Sequence, residues 1–263
     1  MVSAPAVDSA ARMEALAARL HHPDPSQLAF QIREIAGERA YQRHGVRVDA
    51  DDTVVDAGAN VGVAAVYFAA VCGAGRVHSL EPIAPLFELL ERNVAGLDAC
   101  RAHNLGLGSR SGRAAITYYP GAAAMSGLYA DPGRDRELVR AALANEGLRG
   151  EQAERWLEGR HESRQLDCEL TTLSAFMAAE SIEAIDLLKV DVERAELDVL
   201  EGIEPGDWPK IRQLAVEVHD EAGRAQRVRQ LLGERGFHVI LDQDEAMRGT
   251  SVRMVYATTL PAP

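Results

Sequence analysis

Cysteine is scarce in this chain: Cys72, Cys100 and Cys168 are the three among 263 residues. Their number is odd, and no two of them are spaced as CxxC. The sequence therefore offers no cysteine-based zinc site and no disulfide framework. This usage is typical of a protein from a reducing compartment.

Positive charge is in deficit, because 28 Lys and Arg residues face 40 Asp and Glu residues and the formal net charge is −12. No basic run with interleaved aromatic residues is present. Most of such a surface would repel a polyanion, so the sequence argues against a nucleic-acid partner.

Long hydrophobic runs are missing as well. The longest apolar run, Val61 to Cys72, is too short to span a bilayer. Residues 1–18 have no apolar core of signal-peptide length. We therefore expect a cytoplasmic protein that has no membrane partner.

What the chain does contain is a regular alternation of strand-like and helical segments. Such alternation predicts an α/β fold with a mostly parallel sheet and helices on both faces. We expect residues 1–26 to form a loosely ordered N-terminal arm and residues 27–263 to form a single domain. Residues 125–165 break the alternation with a polar, Arg- and Glu-rich helical stretch. We interpret this stretch as a helical lid inserted over the site, since long insertions in α/β domains tend to be functional. The alternative is a solvated helical excursion that has no role.

A buried strand, a tight glycine-rich turn, a helix and a second strand begin the core of this domain. The residues that we expect to contact a cofactor in this unit are Asp56, Gly58, Asn60, Gly62 and, at the end of the second strand, Glu81. A glycine-rich turn brings backbone against a ligand, and a carboxylate at a strand end can bond both hydroxyls of a ribose. The unit therefore predicts a site for a nucleoside-containing cofactor.

The glycine spacing discriminates between cofactors. A dinucleotide fingerprint reads GxGxxG, whereas here three residues separate Gly58 from Gly62 and Asp56 precedes the turn. A carboxylate beside the turn repels a pyrophosphate and suits a cationic, amino-acid-bearing ligand. The pattern favours S-adenosylmethionine over NAD, and we expect Asn60 to cap the helix or to orient the methionyl group.

Three segments resemble the FkbM family of S-adenosylmethionine-dependent methyltransferases: Asp56–Gly62, Glu81–Pro82 and Leu188–Glu196. The similarity extends from about Leu28 to Ala257 and is greatest to the branch that contains a macrolide O-methyltransferase. It implies a class I, Rossmann-like methyltransferase fold, with a seven-stranded, mostly parallel sheet whose last strand is antiparallel. It also implies methylation of a hydroxyl on a natural product, as in antibiotic biosynthesis.

One position departs from the family pattern. Arg194 stands where the family usually places Gly after the Glu. We expect a side chain at this position to narrow the pocket or to alter the acceptor.

Methyl transfer to an aliphatic hydroxyl requires aligned reactants and a base that takes the hydroxyl proton. The candidates end two strands at the edge where open α/β sheets bind ligands. We assign catalysis to Lys189, Asp191 and His219, with His219 as general base because an unperturbed imidazole accepts a proton near neutral pH. The alternative for Lys189 is a buried, purely architectural ion pair. We expect Tyr41 and His44 either to close over the donor or to serve ordinary packing.

The same edge offers ligands for a divalent metal. Asp191, Glu193, Glu217 and His219 form a donor set that suits Mg²⁺ or Mn²⁺, and such a metal would bind the acceptor oxygen. No spacing among these residues is diagnostic. We therefore assign no metal ligands and keep a divalent metal as an alternative that is not favoured.

We thus expect an S-adenosylmethionine-dependent O-methyltransferase of secondary metabolism with a small-molecule acceptor: a polyketide or macrolide, a peptide or a glycoside. N-methylation stays an alternative to O-methylation. Two other functions stay open, an NAD-dependent epimerase or reductase and a non-catalytic nucleoside-binding protein. A homo-oligomer is compatible with the sequence.

Overall fold

A computed structural model describes residues 6–259 of the chain. Its helices, in chain order, are α1 (Ala6–Ala17), α2 (Pro25–Ile32), α3 (Val63–Val66), α4 (Ala84–Val94), α5 (Pro132–Asn145), α6 (Glu151–Leu157), α7 (Leu173–Ala179), α8 (Glu196–Glu201) and α9 (Arg224–Glu234). The strands are β1 (Thr53–Ala57), β2 (Arg76–Leu80), β3 (Cys100–His103), β4 (Gly106–Leu107), β5 (Gly112–Tyr118), β6 (Arg164–Thr171), β7 (Leu187–Val190), β8 (Gln213–His219), β9 (His238–Asp242) and β10 (Val252–Thr258). Wider π-helical turns extend α2 over Arg33–Gly37 and α3 over Tyr67–Cys72. Within residues 6–259, no helix is both long and apolar enough to cross a membrane.

Seven strands form the central sheet in the order β3-β2-β1-β7-β8-β10-β9. Neighbouring strands are parallel except at β10, which runs antiparallel to both β8 and β9. The predicted seven-stranded, mostly parallel sheet with an antiparallel last strand is therefore confirmed. The strand order reverses between β1 and β7, and open α/β sheets bind ligands at such a switch point.

Alternate side chains of the strands pack into two separate hydrophobic cores. Val54 belongs to the core formed with α3 and α4, whereas Val55 belongs to the core formed with α7, α8 and α9. Because successive residues of a strand point to opposite faces, these cores cover both sides of the sheet. The two central strands are consequently almost entirely apolar. Their charged exceptions, Asp56 of β1 and Lys189 of β7, lie side by side in register.

A loosely ordered arm is expected from the sequence for residues 1–26, and within the described part of this segment helix α1 packs on the domain. Helix α1 buries the Met13 side chain completely in the core beside α3. The Arg12 guanidinium donates hydrogen bonds to the carbonyl oxygens of Ala70 (3.0 Å) and Val71 (3.4 Å). The apolar side chains of this Ala-rich segment thus gain burial by docking. Residues 1–5 lie outside the described residues.

The insertion at 125–165 contains α5 and α6, which connect β5 to β6 of a smaller sheet ordered β4-β6-β5. Helix α5 begins after Asp131, whose carboxylate accepts the backbone N–H groups of Gly133 and Arg134 as an N-cap. Leu143, Ala153 and Leu157 are buried in a small core of the two helices. The insertion therefore has packing of its own.

Arg194 ties this insertion to the central sheet. Its guanidinium lies 2.7 Å from Asp135 of α5 and 3.0 Å from Glu221, which follows β8. The Arg194 and Asp135 side chains are 3% and 0% exposed. The sequence suggested that this side chain narrows the ligand pocket. Instead, the Asp135 and Glu221 carboxylates hold the Arg194 guanidinium outside the cavity that is described below.

Replacing Arg194 by Ala should lower the free energy of unfolding by about 3–5 kcal/mol, because the Asp135 carboxylate would stay buried without its charge partner. Urea denaturation measures this change. The matched control is Arg134→Ala, since Arg134 also contacts Glu221, at 2.7 Å, but is 63% exposed. We expect the control to change the free energy by about 0–1 kcal/mol. Equal effects of the two substitutions would contradict the anchoring role of Arg194.

Candidate active site

The turn after β1 brings two strand ends close together. Gly58 has φ 78°, and a Cβ on it would lie 1.7 Å from the carbonyl oxygen of Asp191, the first residue after β7. Gly62 has φ 88°, and a Cβ there would lie 2.6 Å from the Cδ1 atom of Leu90. Glycine is the residue that tolerates both the left-handed backbone and these approaches. Gly58 thus lets the turn meet the end of β7, and Gly62 lets α3 begin against α4.

A buried ion pair lies next to this turn. Lys189 Nζ is 2.8 Å from Asp56 Oδ1 and donates a hydrogen bond of 3.0 Å to the Gly58 carbonyl oxygen. Burial opposes the charge on Lys189, but the neighbouring Asp56 and Asp191 outweigh it and raise the pKa of the ammonium group. These contacts match the architectural alternative for Lys189.

Two residues predicted to contact a cofactor do not line the cavity described below. Asp56 is fully buried, and its carboxylate faces Lys189 because the two residues are in register on adjacent strands. Gly62 is turned toward Leu90 of α4. Both residues therefore stabilise the turn on the side away from the cavity. The residues of the turn that line the cavity are Gly58, Ala59 and Asn60.

Glu81, directly after β2, has its carboxylate held by backbone N–H groups. Its Oε2 accepts from Asn60 at 2.8 Å and its Oε1 accepts from Ile83 at 2.9 Å. Burial raises the pKa of this carboxyl group to about 7, although the two backbone donors oppose the shift. Each carboxylate oxygen has two lone pairs, so both can accept a further hydrogen bond from a ligand. The Asn60 side chain accepts the Val61 N–H at 2.8 Å and so stabilises the turn itself.

A cavity of about 370 Å³ joins the turn, Glu81 and the ends of β7 and β8. Its walls are largely apolar and come from α2, α4, β5 and the inserted helices. Representative apolar lining residues are Phe30, Leu86, Ile116, Leu138, Leu143 and Trp156. Helices α5 and α6 thus cover one side of the cavity, which is where a lid would lie.

Asp191 and Tyr41 meet in this cavity. The Tyr41 hydroxyl donates to Asp191 Oδ2 at 2.8 Å, and Lys189 Nζ lies 3.8 Å from the same oxygen. Burial and the charge of Asp191 raise the pKa of Tyr41 well above its usual range, so the phenol stays a hydrogen-bond donor. His44 lies outside the cavity and shares a hydrogen bond of 2.7 Å with Asp242.

His219 lies between two carboxylates. Its Nε2 is 3.1 Å from Glu193 Oε2, its Nδ1 is 3.4 Å from Glu196 Oε1, and its side chain is buried. Burial disfavours the charged ring, but Glu193 outweighs this cost, so the pKa of His219 is raised well above its usual range. Both ring nitrogens thus face a carboxylate, whereas the prediction of His219 as general base was made for an unperturbed imidazole.

Glu34 is a cavity residue that the sequence analysis missed. It lies in the π-helical turn after α2 and lines the cavity together with Asp191. Burial and repulsion from Asp191 raise the pKa of its carboxyl group to about 8. The available signal was one acidic residue among the apolar positions Leu28, Ile32 and Ile35 of a helical segment.

Known proteins resemble the chain over most of its length. Residues 56–239 match the family model of the methyltransferase FkbM domain. The 31-O-demethyl-FK506 methyltransferase FkbM of Streptomyces tacrolimicus is 35% identical over 242 residues, which cover 91% of this chain and 93% of that protein. The AMB antimetabolite synthetase AmbE of Pseudomonas aeruginosa is 34% identical over 246 residues, which cover 88% of this chain but 12% of that protein.

The fold is also found in a solved structure. The crystal structure of methyltransferase FkbM from Methylobacillus flagellatus KT has a TM-score of 0.51 and 15% identity to this chain. The superposition covers 95% of this chain and 59% of that one. The fold is thus the class I, Rossmann-like fold that the sequence predicts. The family model matches most of the chain, and the Streptomyces relative aligns with it over nearly its full length. The chain therefore belongs to the FkbM family of methyltransferases.

Proposed function

We propose that this chain transfers the methyl group of S-adenosylmethionine to a hydroxyl of a small natural product in secondary metabolism. The observation that carries the proposal is the meeting of Gly58, Glu81 and Asp191 in one cavity. A glycine turn and a strand-end carboxylate suit an adenosyl group. Asp191, at the end of β7 beside β1, is then available to the reacting end of the donor.

The donor is bound through its ribose and its charge. The ribose hydroxyls donate to the free lone pairs of Glu81, whose position is fixed by the Asn60 and Ile83 N–H groups. The sulfonium is a cation, and Asp191 gives this cavity a carboxylate that favours a positive charge. Methyl transfer removes that charge, so the product is held less strongly than the donor.

The acceptor is a largely apolar molecule with at least one hydroxyl. The apolar walls supplied by α2, α4 and the insertion support this substrate class. The relative in Streptomyces tacrolimicus bears the name of a methyltransferase for 31-O-demethyl-FK506, and the Pseudomonas relative that of an antimetabolite synthetase. Both names support an acceptor from secondary metabolism, such as a polyketide or macrolide, a peptide or a glycoside, and a role in antibiotic biosynthesis.

The reaction is an in-line displacement. The acceptor oxygen attacks the methyl carbon, the sulfur–carbon bond breaks, and S-adenosylhomocysteine leaves with the electron pair on sulfur. The hydroxyl proton passes to Asp191, which takes the role first assigned to His219. Tyr41 donates to Asp191 Oδ2 and so leaves Oδ1 for the acceptor. Positioning supplies much of the rate, and the base supplies about 10²- to 10⁴-fold.

Glu81→Gln should weaken binding of S-adenosylhomocysteine by about 10- to 100-fold, because hydrogen bonds to a charged group contribute about 1.5–3 kcal/mol. Calorimetric titration measures this affinity. For the unsubstituted chain, affinity should fall as the pH drops through about 7, since the carboxylate becomes protonated there. The variant should lack this pH dependence. Glu88→Gln, at an exposed position of α4, is the control. Unchanged affinity in Glu81→Gln would contradict the donor site.

The protein is incubated with methyl-labelled S-adenosylmethionine and a metabolite extract from a strain of the source organism that lacks this gene. We expect the label to enter one small molecule. Asp191→Asn should lower the rate of labelling by about 10²- to 10⁴-fold with binding of S-adenosylhomocysteine intact. Asp49→Asn, at an exposed position, is the control and should keep the full rate.

The same assay separates the alternatives. An unchanged rate in Asp191→Asn would contradict Asp191 as the base. Binding of the donor without any transfer would overturn the enzymatic proposal in favour of a nucleoside-binding protein. Binding of a nicotinamide dinucleotide in place of the donor would favour the epimerase or reductase.

A further inference from the structure

Three potential metal ligands converge in the wall of the cavity. Glu193 follows β7, while Glu217 and His219 stand at alternate positions of β8 and so project from the same face of the sheet. One ligand atom from each of these residues lies within 4.8 Å of the others. All three residues line the same cavity as Asp191.

The surroundings of His219 leave one of its nitrogens for a ligand. Its Nδ1 faces Glu196, which is fully buried, and its Nε2 faces Glu193. Histidines that bind metals usually have their second ring nitrogen held by a carboxylate, which fixes the ring orientation. Glu196 is placed to do this, because its Oε1 also accepts the Arg194 N–H at 2.8 Å.

The carboxylates of the cluster lack sufficient partners. Glu193 is 8% exposed, and its Oε2, 3.1 Å from His219 Nε2, has no hydrogen-bond partner among the described residues. The Glu217 carboxylate accepts no hydrogen bond from any residue between 6 and 259. The buried cations Lys189 and Arg194 are already paired, Lys189 with Asp56 and Arg194 with Asp135 and Glu221.

We propose that Glu193, Glu217 and His219 bind one divalent cation in the cavity wall. One imidazole nitrogen and two carboxylates form a mixed donor set that suits Mn²⁺ or Mg²⁺, and the ion leaves coordination positions open toward the cavity. The spacing of these residues in the sequence did not favour a metal; their convergence in the fold does.

The cation has a function if the proposed methyl transfer holds, and this part rests on that proposal. An acceptor hydroxyl bound to the cation would lose its proton more readily, because a metal lowers the pKa of a bound hydroxyl group. Asp191, two residues before Glu193, would then take the proton from an already polarised hydroxyl. The metal site itself is independent of the reaction.

A second cluster, formed by His78, His103 and Glu180, is the competing location for a cation. There, His78 Nδ1 and His103 Nε2 already share a hydrogen bond of 3.2 Å. A metal on His78 Nδ1 would require a proton on its Nε2, which is buried and has no hydrogen-bond partner among the described residues. An unsatisfied buried donor is costly, so this cluster is disfavoured.

The test is a titration of the full, EDTA-treated chain with Mn²⁺, followed by electron paramagnetic resonance. We expect one Mn²⁺ per chain, with a spectroscopic coupling to one imidazole nitrogen, and displacement of the ion by excess Mg²⁺. Glu217→Gln and His219→Gln should each weaken binding at least tenfold, and His219→Gln should also remove the nitrogen coupling. Glu180→Gln is the control and should bind Mn²⁺ with unchanged affinity.

Affinity for S-adenosylhomocysteine, measured on the same samples, shows that the variants are folded and tests the donor site separately. Absence of Mn²⁺ binding at millimolar concentration in a chain that binds S-adenosylhomocysteine would overturn the metal site and leave the methyltransferase proposal intact. Loss of Mn²⁺ in Glu180→Gln, with retention in Glu217→Gln, would also overturn it by moving the ion to the second cluster.

Discussion

The ion pair between Lys189 and Asp56 is the interaction on which the geometry of the site depends. It joins β1 and β7, the two central strands between which the strand order reverses. The same ammonium group donates a hydrogen bond to the Gly58 carbonyl oxygen. A buried charge without its partner is very costly, so both residues have to stay in register. The pair thereby fixes the glycine turn against the end of β7, which places Asp191 and the turn in one cavity.

The charges differ between the two ends of the cavity, the end at the glycine turn and the end at β7 and β8. Glu81 is the carboxylate that faces the cavity beside the turn, and backbone N–H groups hold both of its oxygens. Near the ends of β7 and β8, carboxylates outnumber cations, and Glu193 beside the ring raises the pKa of His219. The same excess explains the two proposals: a cationic donor is favoured by the carboxylates, and a divalent cation would neutralise those that have no other partner. Arg194 stabilises this arrangement from outside by anchoring the insertion.

Local sequence patterns predicted what depends on neighbouring residues in the chain. The strand, the glycine turn and the carboxylate after β2 follow directly from spacing, and the helices of the insertion follow from composition. The state of His219 could not be predicted, because it depends on Glu193 and Glu196, which reach the ring only once β7 and β8 are adjacent. The pairing of Asp56 with Lys189 also required adjacent strands, β1 and β7. The docking of α1 depended on a hydrophobic core formed by other segments of the chain, so the α1 sequence alone could not predict it.

We infer that one cavity holds the donor between Glu81 and Asp191. A crystal structure of the chain with S-adenosylhomocysteine would show the position of the ligand. Both ribose hydroxyls should then lie within hydrogen-bond distance of the Glu81 carboxylate, and the sulfur atom should face Asp191. A ligand whose ribose contacts other residues, or whose sulfur points away from the ends of β7 and β8, would contradict it.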